Sequence, residues 1–216
     1  MTMGTLDELK KNKLVAIARG IEEQCVPTLV EALVKGGIKC VEVTFDHTRE
    51  DGVQRTLDCI RRMTVEGKNQ ILVGAGTVLS AKEAAMAFDA GAKYIISPSV
   101  NAAVIAETKR LGMVSLPGAM TPTECQYAVE CGADLVKLFP AGTLGISYFK
   151  AILAPLKHIG FVPTGGITPQ NLPEFLAAGA VGAGIGSNLI NAVYAREGKF
   201  DLIEEAARQF VQAASR

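Results

Sequence analysis

A lysine within an apolar stretch is the first residue of this chain that suggests chemistry. Lys137 lies in the run DLVKLFP, at residues 134–140. Burying an amine among apolar side chains is costly unless the amine is paired or neutral, and groups in such settings are often functional. The alternative is a lysine near a strand end that extends its ammonium group to water. The stretch by itself leaves both interpretations open.

A glutamate in a second apolar stretch is a candidate partner for this amine. Successive side chains along a strand alternate between two faces, so Lys137 shares a face with Leu135 and Phe139. In the stretch CVEVTF, the same alternation places Glu42 and Thr44 on one face. A structural ion pair is the alternative explanation. Because a buried pair gains little free energy once desolvation is counted, we favour a functional amine and carboxylate.

The elements that position these residues alternate between short apolar runs and segments with helical spacing. A short polar helix at residues 5–12 is followed by eight predicted strand and helix units. The strands are predicted at 14–18, 40–44, 71–75, 94–97, 114–117, 135–139, 161–164 and 181–185. The helices are predicted at 22–35, 49–63, 81–88, 102–110, 122–130, 148–153, 169–177 and 202–214. Helix-ending glycines precede several strands, at Gly91, Gly112, Gly132 and Gly179.

Strict alternation of strands and helices predicts a parallel sheet with right-handed crossovers. Eight units close naturally into a (β/α)8 TIM barrel, with a doubly wound open sheet as the alternative. No linker divides the chain, so we expect one domain over residues 1–216. Active sites of such barrels lie at the carboxyl ends of the strands. The polar residues expected there are Arg19, Glu42, Thr44, Thr77, Ser97, Lys137, Thr164 and Ser187.

Two glycine-rich stretches follow the last two predicted strands. Gly165 and Gly166 lie in PTGGIT, where the following Thr-Pro pair is expected to start a helix. Gly184, Gly186 and Ser187 lie in GAGIGSNLI, which is expected to open a short helix. Backbone amides beside a helix N-terminus form the phosphate site of many barrels. The alternative is that these glycines only make tight turns.

No metal site is predicted. His47 and His158 lie far apart without a carboxylate-rich ligand pattern, and we interpret them as ordinary surface or loop residues. Asp46 is adjacent to His47, but neighbouring residues at a strand end point to opposite sides.

The composition favours a small-molecule partner. The chain has 216 residues, with 22 Lys and Arg against 22 Asp and Glu, so no cationic excess indicates nucleic-acid binding. Five scattered cysteines without ligand spacing indicate reduced thiols. Neither a signal sequence nor a membrane-spanning apolar run is recognisable. We expect a soluble cytoplasmic protein that binds no membrane.

Several motifs together resemble those of a known enzyme family. In chain order they are VAIAR, VEVTF, GAGTV, ISPS, LPGAMTPTE, VKLFPA, PTGGI and GIGS. They resemble the 2-keto-3-deoxy-6-phosphogluconate and 4-hydroxy-2-oxoglutarate aldolases, and VEVT, GAGTV and KLFPA are the most specific. The resemblance runs along nearly the whole chain. It implies a class I aldolase, a carbon-carbon lyase, that needs no metal or organic cofactor.

The resemblance also implies roles for single residues. It makes Lys137 the Schiff-base lysine and Glu42 the general acid and base, in a reaction that cleaves a 2-keto-4-hydroxy acid to pyruvate and an aldehyde. Arg19 matches the family's arginine at the end of the first strand, and Thr77 matches the threonine that contacts the pyruvyl carboxylate. The other implied substrate-binding residues are Pro98, Phe139, Thr164, Gly165, Gly166, Gly186 and Ser187.

One position departs from the family pattern. Many members carry an arginine two residues after the VT pair, where this chain has Asp46. Because the charge is reversed, Arg19, Thr77 or a backbone amide would have to do more of the carboxylate binding, and the preferred substrate could differ. The GAGIGSNLI stretch also resembles the phosphogalactonate aldolases. The family resemblance further suggests a homotrimer.

Two other functions remain open from the sequence. A phosphosugar isomerase or epimerase would use Glu42 and Lys137 as acid and base without a covalent step. A non-catalytic phosphometabolite-binding barrel would bind its ligand without turnover, although such a protein has no need of a paired amine and carboxylate.

Overall fold

The computed structural model describes residues 4–68 and 70–215. The strands are Leu14–Ala18 (β1), Cys40–Thr44 (β2), Leu72–Gly76 (β3), Tyr94–Ile96 (β4), Val114–Leu116 (β5), Gly118–Ala119 (β6), Val136–Leu138 (β7), Phe161–Pro163 (β8) and Ala183–Ile185 (β9). The helices are Thr5–Asn12 (α1), Val26–Lys35 (α2), Gly52–Gly67 (α3), Ala81–Asp89 (α4), Ala102–Arg110 (α5), Pro122–Glu130 (α6), Ala141–Leu153 (α7), Leu172–Ala177 (α8), Ala192–Arg196 (α9) and Phe200–Ala214 (α10). A short 3-10 helix, Glu23–Cys25, precedes α2.

The strands form a closed parallel ring. Six strands pair in the order β5-β4-β3-β2-β1-β9, and β6-β7-β8 form the remaining part. A parallel bridge between Thr164 and Gly184 joins β8 to β9. On the other side, β5 and β6 are one strand position interrupted at Pro117, and the Pro117 carbonyl accepts a hydrogen bond from the Lys137 amide at 2.9 Å. The ring therefore has eight positions, which confirms the TIM barrel and excludes the open sheet.

Two apolar layers surround this ring of strands. The outer layer packs alternate strand residues against the helices and includes Val136 and Leu138. The inner layer fills the barrel with the side chains that point the other way, among them Val15, Leu116 and Leu135. Leu9 of α1 belongs to the inner layer, so α1 packs at the amino-terminal end of the barrel. The opposite end, where the strands finish, holds the polar residues.

Several element boundaries differ from the sequence prediction. The predicted strand at 114–117 breaks because Pro117 has no amide hydrogen to donate to a ladder. The helix expected at 148–153 begins at Ala141, with a kink at Gly145, whose φ is 79°. The helix expected from 169 begins at Leu172, and α9 was not predicted.

The helix-ending glycines behave as the sequence indicated. Gly91, Gly112, Gly132 and Gly179 have φ angles of 107°, 73°, 98° and 114°. In this left-handed region a side chain on Cα is unfavourable, so each glycine lets the chain turn from a helix into the next strand. Within the described residues, no helix is both long and apolar enough to cross a bilayer.

Candidate active site

Lys137 points into the barrel from β7. Lys137 is 7% exposed, and Leu135, which lies on the same face of the strand, is 2% exposed and belongs to the inner layer. The ammonium group lies 5.2 Å from the ring centroid of Phe139. Burial lowers the pKa of Lys137, the nearby Arg19 charge lowers it further, and the Glu42 carboxylate opposes the change. The interpretation of a lysine that extends to water is therefore wrong.

Glu42 points into the barrel from β2 and is 1% exposed. Its carboxyl group packs over Gly76, where an added Cβ would lie 2.7 Å from Cδ and Oε1. Burial raises the pKa of Glu42, while the charges of Lys137 and Arg19 oppose the rise. Burial thus shifts the pKa of this carboxyl group and of the Lys137 amine toward each other.

No direct ion pair joins the two groups. Among the salt bridges of residues 4–68 and 70–215, none connects Glu42 to Lys137, so their charged atoms are more than 4.0 Å apart. The structural ion pair considered as an alternative is therefore absent. The amine and the carboxyl group therefore face one interior without forming an ion pair.

Arg19 and Thr77 follow the ends of β1 and β3. Arg19 is exposed, and its charge acts on both Glu42 and Lys137. Thr77 is partly buried and has a φ of 56°. A β-branched residue rarely adopts this left-handed conformation, and such strain is concentrated at functional sites. The structure places both residues at the carboxyl end of the barrel, as predicted.

The glycine pair after β8 lies against the start of α7. Gly165 and Gly166 have φ angles of 86° and 72°. The Gly165 carbonyl accepts a hydrogen bond from the Gly142 amide at 2.7 Å. An added Cβ on Gly166 would lie 3.1 Å from the Cα of Gly142. Thr164, just before the pair, is buried and donates its hydroxyl to the Val162 carbonyl at 3.2 Å.

The second glycine stretch lies beside the first because the bridge of Thr164 to Gly184 joins their strands. Gly184 is within β9, whereas Gly186 and Ser187 follow it. In the part of the chain that the structure describes, the amides of Gly166, Gly186 and Ser187 donate to no protein acceptor. Three free amides at one rim are suited to an anion.

The helix expected to start in this stretch is a single turn. The amides of Leu189 and Ile190 both donate to the Gly186 carbonyl, at 2.9 and 3.0 Å. The next helix, α9, begins only at Ala192, with Asn191 as its N-cap. Thr168 likewise does not cap α8 directly, because its amide and hydroxyl exchange hydrogen bonds with Asn171, which precedes the helix.

Pro98 and Phe139 complete the predicted set. Phe139 is 40% exposed, and the Lys137 ammonium group lies over the face of its aromatic ring. The Phe139-Pro140 peptide bond is cis. Pro98 follows β4, and its carbonyl approaches Gly118 so closely that an added Cβ there would lie 2.4 Å away. These two residues follow β4 and β7, which flank the β5 and β6 position of the ring, at its carboxyl end.

Asp46 and His47 make contacts outside the barrel interior. The Asp46 carboxylate accepts hydrogen bonds from the Thr48 amide at 2.9 Å and hydroxyl at 2.6 Å, and these bonds lower its pKa. His47 Nε2 lies 2.9 Å from Glu83 Oε1 on α4. Asp46 therefore fixes a turn after β2. Within the described ranges, no group of three or more His, Cys, Asp or Glu side chains is arranged to bind a metal ion.

Tyr94 is the inward-facing polar residue that the sequence analysis passed over. It is fully buried in the inner layer, and its hydroxyl has no hydrogen-bond partner among the described residues. The alternation along β4 and the small Gly74 on β3 are the sequence signals that indicate it.

Comparison with known proteins identifies the family. The model of the family described as KDPG and KHG aldolase matches residues 6–206. The chain belongs to this aldolase family. It is 37% identical over 191 residues to a 2-dehydro-3-deoxy-phosphogluconate aldolase of Treponema pallidum, with 88% of this chain and 87% of the relative covered. It is 34% identical over 184 residues to a 2-dehydro-3-deoxy-6-phosphogalactonate aldolase of Escherichia coli, covering 84% and 86% of the two chains.

Solved structures resemble this chain over all or nearly all of its length. A structure described as native KDPGal has a TM-score of 0.85 and 31% identity, and covers 100% of this chain and 98% of the other. A designed cube-shaped cage, made by fusing symmetric oligomeric domains, has a TM-score of 0.85 and 32% identity, and covers 95% of this chain and 73% of the other. The aldolase is thus a carbon-carbon lyase of this family with a small-molecule substrate.

Proposed function

We propose that the protein cleaves a 2-keto-4-hydroxy acid to pyruvate and an aldehyde through a Schiff base on Lys137. The observation that carries the proposal is the inward-facing amine of Lys137, which is 7% exposed and has a lowered pKa, opposite the buried carboxyl group of Glu42. The substrate is of the 2-keto-3-deoxy-6-phosphogluconate or 4-hydroxy-2-oxoglutarate type.

The first step is imine formation. The unprotonated Lys137 amine attacks the C2 ketone, and loss of water gives a protonated imine. This cation accepts the electron pair of the C3-C4 bond when the bond breaks. Because burial and the Arg19 charge lower the pKa of Lys137, more of the amine is in the nucleophilic form at neutral pH.

Glu42 is the general base and then the general acid of the proposed reaction. Its carboxylate takes the C4 hydroxyl proton, directly or through a water, as the aldehyde leaves. The resulting acid protonates C3 of the enamine, and hydrolysis of the pyruvate imine restores the amine. A group that acts first as base and then as acid works best with a pKa near the working pH. Burial moves the pKa of Glu42 in that direction.

The two ends of the substrate are held by different parts of the rim. Arg19 and Thr77 bind the pyruvyl carboxylate, next to the reacting ketone. The free amides of the two glycine stretches, with Thr164 nearby, bind a distal phosphate. Pro98 and Phe139 supply apolar contact to the carbon chain. Remote binding of the phosphate then places the C3-C4 bond over Lys137.

A 2-keto-3-deoxy-6-phosphogalactonate substrate is the second candidate. It is favoured by the 34% identity to the phosphogalactonate aldolase of Escherichia coli and by the KDPGal structural match. The proposed chemistry is the same for both substrates, which differ in configuration at one hydroxyl.

We further propose that the enzyme is a cytoplasmic homotrimer. The support is the family resemblance and the match to a cage built from symmetric oligomeric domains.

Release of pyruvate tests the proposed function. Wild-type protein is supplied with each phosphorylated keto acid and with unphosphorylated 4-hydroxy-2-oxoglutarate, and pyruvate is measured by its reduction with lactate dehydrogenase. Glu42→Gln should reduce kcat by about 100-fold or more, because general acid-base catalysis contributes this much. Glu107→Gln, which removes a surface carboxylate paired with Arg110, is the control and should leave kcat unchanged. Turnover without pyruvate release would indicate an isomerase or epimerase instead.

A further inference from the structure

Tyr94 lies next to Glu42 in the barrel interior, one layer closer to the amino-terminal end. Its ring packs over Gly74, where an added Cβ would lie 2.3–2.5 Å from Cε2, Cδ2 and Cζ. Gly74 is the residue of β3 that pairs in register with Glu42. The ring thus reaches from β4 across β3 toward the strand that carries the carboxylate.

Two glycines on one face of β3 create the space for this arrangement. Gly74 makes room for the phenol end of Tyr94, and Gly76 makes room for the carboxyl group of Glu42. They are two residues apart, so their open faces are adjacent along the strand. The Tyr94 hydroxyl and the Glu42 carboxyl group therefore occupy neighbouring positions above these glycines.

Both groups have a buried atom without a protein partner. Within residues 4–68 and 70–215, Tyr94 Oη and Glu42 Oε2 are the buried side-chain oxygen or nitrogen atoms that form no hydrogen bond. Buried polar atoms are rarely left unpaired, and a buried water commonly satisfies two to four of them.

We propose that Tyr94 is a positioning residue that donates its hydroxyl, through a buried water molecule, to Oε2 of Glu42. A hydrogen bond to a carboxylate favours the charged form and so opposes the effect of burial. Burial raises the pKa of Tyr94 itself, so its hydroxyl stays protonated and remains a donor. Tyr94 thereby keeps Glu42 available as a base, an assignment that rests on the proposed function of Glu42.

The pH dependence of the conservative variant Tyr94→Phe tests this inference. Without the donor the pKa of Glu42 rises, so the acid limb of the kcat profile moves up by about one pH unit. The rate on the acid side then falls about tenfold, while the plateau at higher pH changes much less. Tyr127→Phe, on the outer face of α6 and 50% exposed, is the control and should leave the profile unchanged.

An infrared titration gives a readout that does not depend on turnover. The carboxyl band that is lost in Glu42→Gln reports the ionisation of Glu42, and its midpoint should rise in Tyr94→Phe. An unmoved midpoint, or a lower plateau with an unmoved acid limb, would show that Tyr94 only fills space. If wild-type protein releases no pyruvate, the proposed function fails, whereas the infrared midpoint still tests the link between Tyr94 and Glu42.

Discussion

Burial inside the barrel disfavours the charged form of both Lys137 and Glu42. Alternation along the strand predicted the inward direction of both, because that period is a property of the extended backbone. The sequence could not predict that the two groups do not touch, since their separation depends on how the barrel closes. The role of Asp46 was readable in principle, because an aspartate two residues before a threonine in DHT is a pattern for a side-chain turn.

The buried amine predicts a pH-dependent cost in stability. Burial lowers the pKa of Lys137 below the value of about 10.4 that it has when unfolded. The unfolded chain therefore binds more protons, and stability is lost as the pH falls from about 10.4 toward the folded pKa. In a Glu42→Gln background, the neighbouring carboxylate that titrates is absent. Adding Lys137→Met to this background removes the loss of stability that comes from burying the amine. We expect a gain on the order of 1 kcal/mol at pH 7 that shrinks as the pH approaches 10.

Urea unfolding of the single and double variants at both pH values measures this gain. Lys150→Met in the same Glu42→Gln background changes an exposed lysine of α7 and should alter the free energy of unfolding by less than about 0.5 kcal/mol. A gain from Lys137→Met that is equal at both pH values would come from packing alone, and the proposed burial of a charge would be wrong.

Single elements were predicted well where one physical signal dominates. Strand β2 and helices α5 and α6 have the predicted limits, because apolar runs and capping residues mark their ends. Helix α9 was not predicted, and only the second part of helix α7 was predicted. Glycine, threonine and serine dilute the pattern at the start of α7, and α9 has only five residues, too few for helical periodicity to be visible.

The glycine stretch between β8 and α8 should matter more for a phosphorylated substrate than for stability. In Gly166→Ala, the new methyl group meets the backbone of Gly142, 3.1 Å away, at a φ of 72°. We expect KM for a phosphorylated keto acid to rise about tenfold, since a loss of about 1.4 kcal/mol in phosphate binding is one decade. KM for unphosphorylated 4-hydroxy-2-oxoglutarate should change little.

Gly112→Ala is the matched control for this change. Its φ of 73° imposes the same backbone strain, but nothing lies within 4 Å of the added Cβ, and it precedes β5 at the other end of the barrel. Both variants should lose about 1 kcal/mol of stability, with KM affected only in Gly166→Ala. An equal rise in KM for both substrates in Gly166→Ala would contradict a phosphate site at this glycine.

At the scale of the whole molecule, the eightfold order of strands and helices was sufficient to predict the barrel. Closure brings residues that are far apart in the chain to one mouth, and Glu42 and Lys137 come from opposite parts of the ring. The sequence did not indicate how the ring closes. The break at Pro117 and the bridge from Thr164 to Gly184 depend on contacts between distant strands.

The central claim is that this mouth presents Lys137 as a nucleophile toward a ketone. Wild-type protein incubated with pyruvate and borohydride should form an imine with loss of water, which hydride then reduces to a stable secondary amine. Peptide mass spectrometry should locate this adduct on Lys137. Lys150→Met should keep the adduct and Lys137→Met should lose it. An adduct on another lysine, or none in a preparation that still turns over substrate, would contradict the Schiff-base mechanism.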